Sequence, residues 1–536
     1  MSQITSRFEV AAAEFPFLSD QVGRTVVVDE DKGKLKIANS SGLPEKITQP
    51  QLIYAENILP VGVGFRSVSF MVSSGQVPGN SVIYNVWEMQ DTSQRNAYIA
   101  ASTDRKLWLF DEDYPQWLPL TTPVAWNGAD PTFAKVSGRA FLFLPGAGLY
   151  ELSGTTRNIV QQTVAGITEE LALGICGSFG YLIFYDALKI YYSSATDPLD
   201  HVPSITTGAG SGSIQEAVGA IRFVEQTSLG INIYCEKNVV SAQYSSNIRY
   251  PWVIKAVDNS LGVGSPDRVT REDESGNQYC LTSGGMMAVN VKAAKHVFPA
   301  VSDFLAAKRI ETYDRTTHIS TFTAVPNGLL TRLSLIASRW LVLSYGVSSY
   351  TQALVYDSAL KRWGKIVADH IAFVELFIDY NSMFLGRCSD MPHPASLYTV
   401  ECSTSVFGGP SVDTDSSMLA FFNATGQLNI VRFDFLDYTD ALAIFGRFQL
   451  TRRKKCAVQE LELECVGAEN VAATVLSSFN GKTMSVATPM YKYEGADDRA
   501  WFLSADAPEA ENHSIELRGS FYVISQQITI SQGGRG

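Results

Sequence analysis

Two carboxylates and an imidazole fall within one short loop, Asp197-Pro198-Leu199-Asp200-His201. A metal site there would need further oxygen or nitrogen ligands, and spacing alone does not supply them. Asp before Pro is also ordinary turn chemistry, because the Asp side chain caps nearby backbone N–H groups. The loop therefore reads as a turn. The six histidines (His201, His296, His318, His370, His393 and His513) form no H-E-x-x-H or H-x-H pattern, and no G-x-S-x-G elbow occurs. Gly62-Val63-Gly64 and Gly262-Val263-Gly264 are G-x-G only, without the remaining glycine or helix start that a phosphate cradle needs.

Two further groups bear on binding. Thr451-Arg452-Arg453-Lys454-Lys455 is the only dense basic run. A run of this kind defaults to a solvated turn between strands, and the sharper reading is a subunit contact through Arg452, Arg453, Lys454 and Lys455 to an acidic partner. Trp108, Trp117 and Trp126 could form an aromatic platform for a sugar, though packing between sheets accounts for them more simply. Ser477-Ser478-Phe479-Asn480-Gly481-Lys482-Thr483 is distantly like the S-x-D-x-G-x-T-W turn of sialidase-like propellers. No catalytic residue, metal ligand or cofactor-binding residue is assigned, and no cofactor is expected.

The elements that must position these residues are strands. Leu182 to Ser193 shows the unit: an apolar run, a break at Asp186-Ala187-Leu188, and a second aromatic run. Comparable units begin at residues 98, 141, 182, 231, 279, 341 and 383. A recurrence of about 40 to 50 residues built only from strands is the signature of a β-propeller blade. Each blade packs between two neighbours, so its central strands read as continuous apolar runs. The count predicts seven blades, with six or eight as neighbouring solutions and stacked β-sandwiches as the competing architecture. A helix is expected only at Ala300 to Arg309, inside an insertion near 290–330. Pro60, Gly62 and Gly64 argue against a regular central strand between Gln51 and Phe70.

After about residue 405 the pattern changes to longer strand candidates. Gln459 to Glu464, Q-E-L-E-L-E, alternates strictly, so one of its faces meets solvent or a partner. The expected fold is all-β: a propeller of about seven blades plus a C-terminal β-sandwich-like domain that packs with the N-terminal segment. The expected divisions are 1–66 as an N-terminal platform segment, 67–405 as the propeller and 406–536 as the C-terminal platform domain.

At 536 residues the chain is long enough for two or three cores, and its 46% apolar content can fill them. Only 18% of residues are charged, and the net charge is -12. That balance argues against a grip on nucleic-acid phosphates, which calls for basic faces. Seven cysteines, an odd number without C-x-x-C spacing, argue against a disulfide framework or a structural zinc and read as buried thiols in a reducing cytoplasm. The start carries no basic segment followed by an apolar one, and no stretch is apolar enough to cross a bilayer.

Several segments, in order, resemble the tail nozzle proteins of short-tailed bacteriophages, the tail accessory factors that include the packaged-DNA stabilisation protein. They are Asn57-Ile58-Leu59-Pro60 followed by Gly64-Phe65-Arg66-Ser67, Tyr192-Ser193-Ser194 with Asp197-Pro198-Leu199-Asp200-His201, and Asn259-Ser260-Leu261-Gly262 with Gly264-Ser265-Pro266. Leu354-Val355-Tyr356-Asp357 before Arg362-Trp363, the stretch from Arg447 to Glu464, and the closing run Phe521 to Ile530 complete the series. The resemblance implies a structural virion protein and not an enzyme. It implies six copies in a ring below the portal and a tail adaptor protein, extending the DNA channel, retaining packaged DNA and docking tail fibre or spike proteins. DNA would pass without sequence-specific binding. Assembly in the bacterial cytoplasm and residence in the virion tail follow from the same resemblance. The competing expectation is a glycan-binding or glycan-cleaving propeller of a phage tail, a receptor-binding protein with a carboxylate pair or aromatic platform at the propeller mouth.

Overall fold

The computed structural model describes residues 3–9, 26–28, 35–37, 52–62, 64–72, 76–90, 96–111, 116–120, 126, 128–152, 159–168, 171–377, 417–433, 441–445, 448–450, 455–466, 470–479, 486–496, 499–504 and 506–532. Strands dominate them, as the apolar runs and turn residues require.

Seven groups of four antiparallel strands, six of them separate sheets and one the start of a longer sheet, are arranged as blades. The innermost strands are Ile83–Gln90, Thr132–Val136, Gly174–Ser178, Ile221–Thr227, Val269–Glu272, Leu330–Ile336 and Ala372–Phe377. Each packs on the next, and the seventh packs on the first, so the ring closes. The protein is therefore a seven-bladed β-propeller with an added platform. The closing blade is a composite. Ala372–Phe377, Ser417–Phe422 and Leu428–Arg432 come from late in the chain, and the outer strand Ser69–Val72 comes from before the first blade. Ser69 pairs with Arg432 and Val72 with Asn429. Such a clasp ties the two ends of the ring by main-chain hydrogen bonds and leaves no gap between the first and last blades.

The blades hold together by burial on both faces. Tyr181–Tyr185, in the middle of the third blade, is buried at every position. Its turn is set by Asp186, whose Oδ1 accepts from the backbone N–H of Leu188 and of Lys189, both at 2.7 Å. At the closure, Phe422 of the seventh blade lies against Tyr98, Phe110 and Trp117 of the first, with ring centroids 5.1 to 5.6 Å apart.

The sixth blade continues into the platform. Its outer strand Arg362–His370 pairs with Ile58–Val61 at Lys365 and Ile58, and the sheet runs on through Gly64–Ser67, Tyr522–Gln532, Cys456–Val466, Arg499–Leu503 and Tyr491–Ala496. Gln3–Glu9 pairs along Tyr522–Gln532. A second sheet contains Leu52–Glu56, Ala441–Phe445, Asn512–Gly519, Phe448–Leu450 and Val471–Ser478. Leu461, Leu463, Val523 and Ile528 from the first sheet share one core with Phe445, Val475, Ile515 and Leu517 from the second. The platform is thus a β-sandwich into which the N-terminal segment is woven.

Four expectations need correction. The segment around Pro60, expected not to form a regular central strand, does so: Ile58–Val61 and Gly64–Ser67 form a hairpin inside the long sheet. Proline is tolerated because the sixth blade pairs with this strand only at Ile58, leaving Pro60 past the paired stretch. Gly64 is required there, since a Cβ would lie 2.1 Å from the Val523 carbonyl oxygen. The seventh repeat is not the unit begun at Met383, which lies outside the described residues; its strands include Ser417–Phe422 and Leu428–Arg432, so the propeller extends past 405. The helix spans Pro299–Ala306, ending before Arg309, which already starts the hairpin Arg309–Asp314 with Ile319–Ala324. The outer strand of the fifth blade, Ala294–His296, falls within the expected insertion, which begins only after it.

Candidate functional site

Charged side chains project from strands that otherwise read as apolar, and closure of the ring brings them together on the axis. Arg271 sits on the inner strand of the fifth blade and Glu88 on that of the first. Arg271 Nη1 donates to Glu88 Oε1 at 2.8 Å, and Nη2 donates to the Glu88 carbonyl oxygen at 3.3 Å. Those blades are not neighbours, so the pair spans the central passage. The Arg271 side chain keeps 53% of its exposure and Glu88 17%. Burial disfavours the Arg271 cation, but Glu88 and then Glu225 more than offset it and hold the guanidinium charged. Burial pushes the Glu225 carboxyl on the fourth blade up to about 7, against the pull of Arg271.

A second group sits where the inner strands begin. Arg332 of the sixth blade donates through Nη1 to Asn85 Oδ1 and through Nη2 to the Val86 carbonyl oxygen at 2.7 Å, both on the first blade. The same guanidinium reaches the Ile371 carbonyl oxygen at 3.4 Å, immediately before the seventh blade. Its Nε lies 3.8 Å from Asp267 Oδ1. Arg332 thus staples three blades at the inner end of the closure, opposite the clasp on the outer edge. Asp130, just before the second inner strand, is raised by burial and by the neighbouring Asp267, with Arg332 opposing. The arginine beside these two carboxylates is already engaged by the Asn85 side chain, by Asp267 and by backbone carbonyls.

A third group lies at the junction of propeller, insertion and platform. Lys365, 1% exposed, holds its ammonium 4.5 Å above the Tyr54 ring. Burial lowers its pKa, while Glu311 and Glu56 act to keep it charged. Tyr54 donates to Glu56 Oε1 at 2.6 Å, and Arg315 of the insertion hairpin meets Glu56 Oε2 at 2.5 Å. Glu516, fully buried, takes Arg518 Nε at 2.5 Å and His318 Nδ1 at 2.9 Å. Arg315 and His318 thus pair the insertion with the sandwich, and Gln352 of the sixth blade donates to the Glu311 carbonyl oxygen of the insertion at 3.3 Å.

The residues singled out in the sequence fare unevenly. Asp197 Oδ1 accepts from Leu199 N–H and Asp200 Oδ1 from Val202 N–H, both at 3.0 Å, which is turn chemistry. His201 is 2% exposed, donates Nε2 to the Leu182 carbonyl oxygen at 3.0 Å, and is held near 4 by burial. Trp108, Trp117 and Trp126 are all buried, and their indole N–H groups donate to Ser102, Gly426 and Ala129. They are core, not a sugar platform. Gly262 packs under the Glu236 carbonyl, where a Cβ would sit 1.9 Å from the oxygen. Of the basic run, Arg452, Arg453 and Lys454 lie outside the described residues, and Lys455 is exposed.

Five cysteines, Cys176, Cys235, Cys280, Cys456 and Cys465, are free and buried; Cys388 and Cys402 lie outside the described residues. Burial pushes the Cys235 and Cys280 thiols up to about 12. Among the described residues no three His, Cys, Asp or Glu side chains converge as a metal site, and no helix is long and apolar enough to cross a membrane. The charged groups on the axis were missed by motif reading because each comes from a different blade. The one available signal was a charge standing inside an inner-strand run, as in Val269-Thr270-Arg271-Glu272.

No family model matches the chain, and no curated protein matches it. Among solved structures it is similar to one described as YCF48 bound to D1 peptide, at 11% identity and a TM-score of 0.37, over 71% of this chain and 98% of that one.

Proposed function

We propose that the chain is a structural subunit of a short-tailed bacteriophage tail nozzle, assembled as a ring of six that extends the DNA channel below the portal and adaptor. The observation that supports this reading most is the continuity of sheet between the sixth blade and the platform. It makes a single stiff block out of a wheel and a sandwich, which suits a wall element. The axial passage adds to it. With Arg271 and Glu88 meeting across the propeller centre, a duplex has no path through one subunit, so a genome channel belongs between copies. A net charge of -12 suits such a wall, because an acidic or neutral lining avoids the counterion-release gain that makes DNA stick. Retention of packaged DNA, tail fibre docking and location in the virion tail belong to the same proposal.

The second reading, a glycan-binding or glycan-cleaving phage propeller, is favoured by one observation: Asp130, just before the second inner strand, feels the charge of Asp267, just before the fifth. Electron microscopy of the purified protein with its portal and adaptor partners tests the two. A ring seated on the adaptor supports the nozzle. A monomer that retains or cleaves host polysaccharide, with loss of that activity in Asp130→Asn, overturns it.

A further inference from the structure

Glu225 stands on the inner strand of the fourth blade, which packs on the inner strand of the fifth, where Arg271 stands. The register puts the two side chains at one height. Gln278 pairs with Glu272 inside the fifth blade, and its Nε2 donates to the Gln226 carbonyl oxygen at 3.1 Å. Gln226 and Glu272 are therefore level, and so are Glu225 and Arg271, each one residue earlier. Glu225 also faces the fifth blade. It pairs with Asn232, and residues opposite each other in a sheet share a face. On that face Asn232 reaches Gln278 Oε1 of the fifth blade at 2.8 Å. Yet the Arg271 guanidinium lies on Glu88, across the axis, at 2.8 Å. Among the described residues the Glu225 carboxyl takes no hydrogen bond and no ion pair.

We infer that Arg271 is a toggle: it ties the first blade through Glu88 while Glu225 carries a proton, and turns to Glu225 once that carboxyl ionises, slackening the tie across the passage. Burial pushes the Glu225 carboxyl up to about 7, which centres the exchange near neutral pH. Below that value Glu88 is the one anion facing the guanidinium; above it two anions compete. The other groups around Glu225 do not change charge there. The Cys176 thiol and Tyr185 phenol of the third blade and the Tyr234 phenol of the fourth are all pushed upward, mainly by burial, and stay neutral. Glu272 is held by the Ser228 backbone N–H and hydroxyl. Tyr98, which also acts on Arg271, donates its hydroxyl to the Glu375 carbonyl oxygen. The Arg271 side chain keeps 53% of its exposure, so water in the passage leaves it room to move. A pair exposed in this way is weak, and a second carboxylate beside it is enough to draw the guanidinium away. The inference concerns one subunit and does not depend on the ring reading above.

Crystal structures of the unsubstituted protein at pH 6 and pH 8.5 test it. The Arg271 guanidinium is expected on Glu88 at the lower pH and on Glu225 at the higher. Glu225→Gln, which cannot ionise, is expected to keep it on Glu88 at both. Double-mutant cycles on Arg271→Ala and Glu88→Ala give a solution readout by urea unfolding. The coupling is expected to be about fivefold in the equilibrium constant at pH 6 and under about twofold at pH 8.5. In the Glu225→Gln background it is expected to stay at about fivefold at both. An Arg271 found on the same partner at both pH values, or a coupling indifferent to pH, overturns the inference. A pH dependence that persists in Glu225→Gln overturns it as well.

Discussion

Arg271 on the fifth blade and Glu88 on the first meet at 2.8 Å across the axis of the wheel. A pair this exposed to the water of the passage contributes on the order of 1 kcal/mol. Its larger effect is geometric, since it fixes the separation of two blades that share no sheet. A double-mutant cycle on Arg271→Ala and Glu88→Ala, read by urea unfolding, should give a coupling of about 1 kcal/mol. Strict additivity would show that the contact does not form in solution.

Glu225 titrates as a consequence of the same enclosure. Its carboxyl is raised to about 7, so the folded state binds that proton more tightly than the unfolded state does. Stability contributed by the protonated form is present below the unfolded value and declines as pH rises toward 7. Glu225→Gln should therefore stabilise the protein at pH 8 and leave it unchanged at pH 4. Melting temperatures across that range check the sign.

Three buried histidines act in the opposite sense. His201, His370 and His513 are each held near 4, with burial as the main cause. Each is neutral when folded: His513, for example, donates Nε2 to the Cys456 carbonyl oxygen at 2.7 Å while Nδ1 meets Ser477 Oγ at 3.0 Å. Their contribution is complete above about 6.5 and is lost as pH falls through 4. His513→Gln should flatten the acid limb of a stability–pH curve even though it lowers stability at neutral pH.

Closure of the ring rests on packing as much as on the clasp. Phe422 is fully buried against the first blade. Phe422→Ala should cost about 3 to 5 kcal/mol, by equilibrium unfolding. Hydrogen exchange should then rise first in Ser69–Val72 and Leu428–Arg432, the strands that close the ring.

Lys365 ties the sixth blade to the platform from inside. Lys365→Met keeps the volume and removes the cation that Glu311 and Glu56 face. A loss of about 1 to 3 kcal/mol is expected, because Glu311 loses the cation that offsets its burial and Glu56 is left with Arg315 alone. The same loss in an Arg315→Ala background would show that the two cations act independently on Glu56.

The wheel was readable because six strand pairs, such as Leu182 to Tyr185 with Lys189 to Tyr192, are contiguous in sequence and separated by short turns. The seventh was not. Its first strand ends at Phe377, its second starts at Ser417, and its outer strand precedes the whole ring. Periodicity cannot register a blade whose members lie at opposite ends of the chain. Pro60 misled for a related reason: the rule against proline in a central strand applies where both edges are paired, and here one edge is not. The alternation at Glu460 and Glu462 was legible, since a period of two directly records which face is buried. The axial charges were not, because Arg271, Glu88 and Glu225 become neighbours only when the ring has closed.

Single-particle electron microscopy of the protein bound to its adaptor tests the central claim most directly. The account predicts a six-fold ring with an open channel between subunits, each wheel plugged at its own axis where Arg271 meets Glu88. Isolated subunits, or a ring whose only continuous passage runs through the propeller axes, would contradict it.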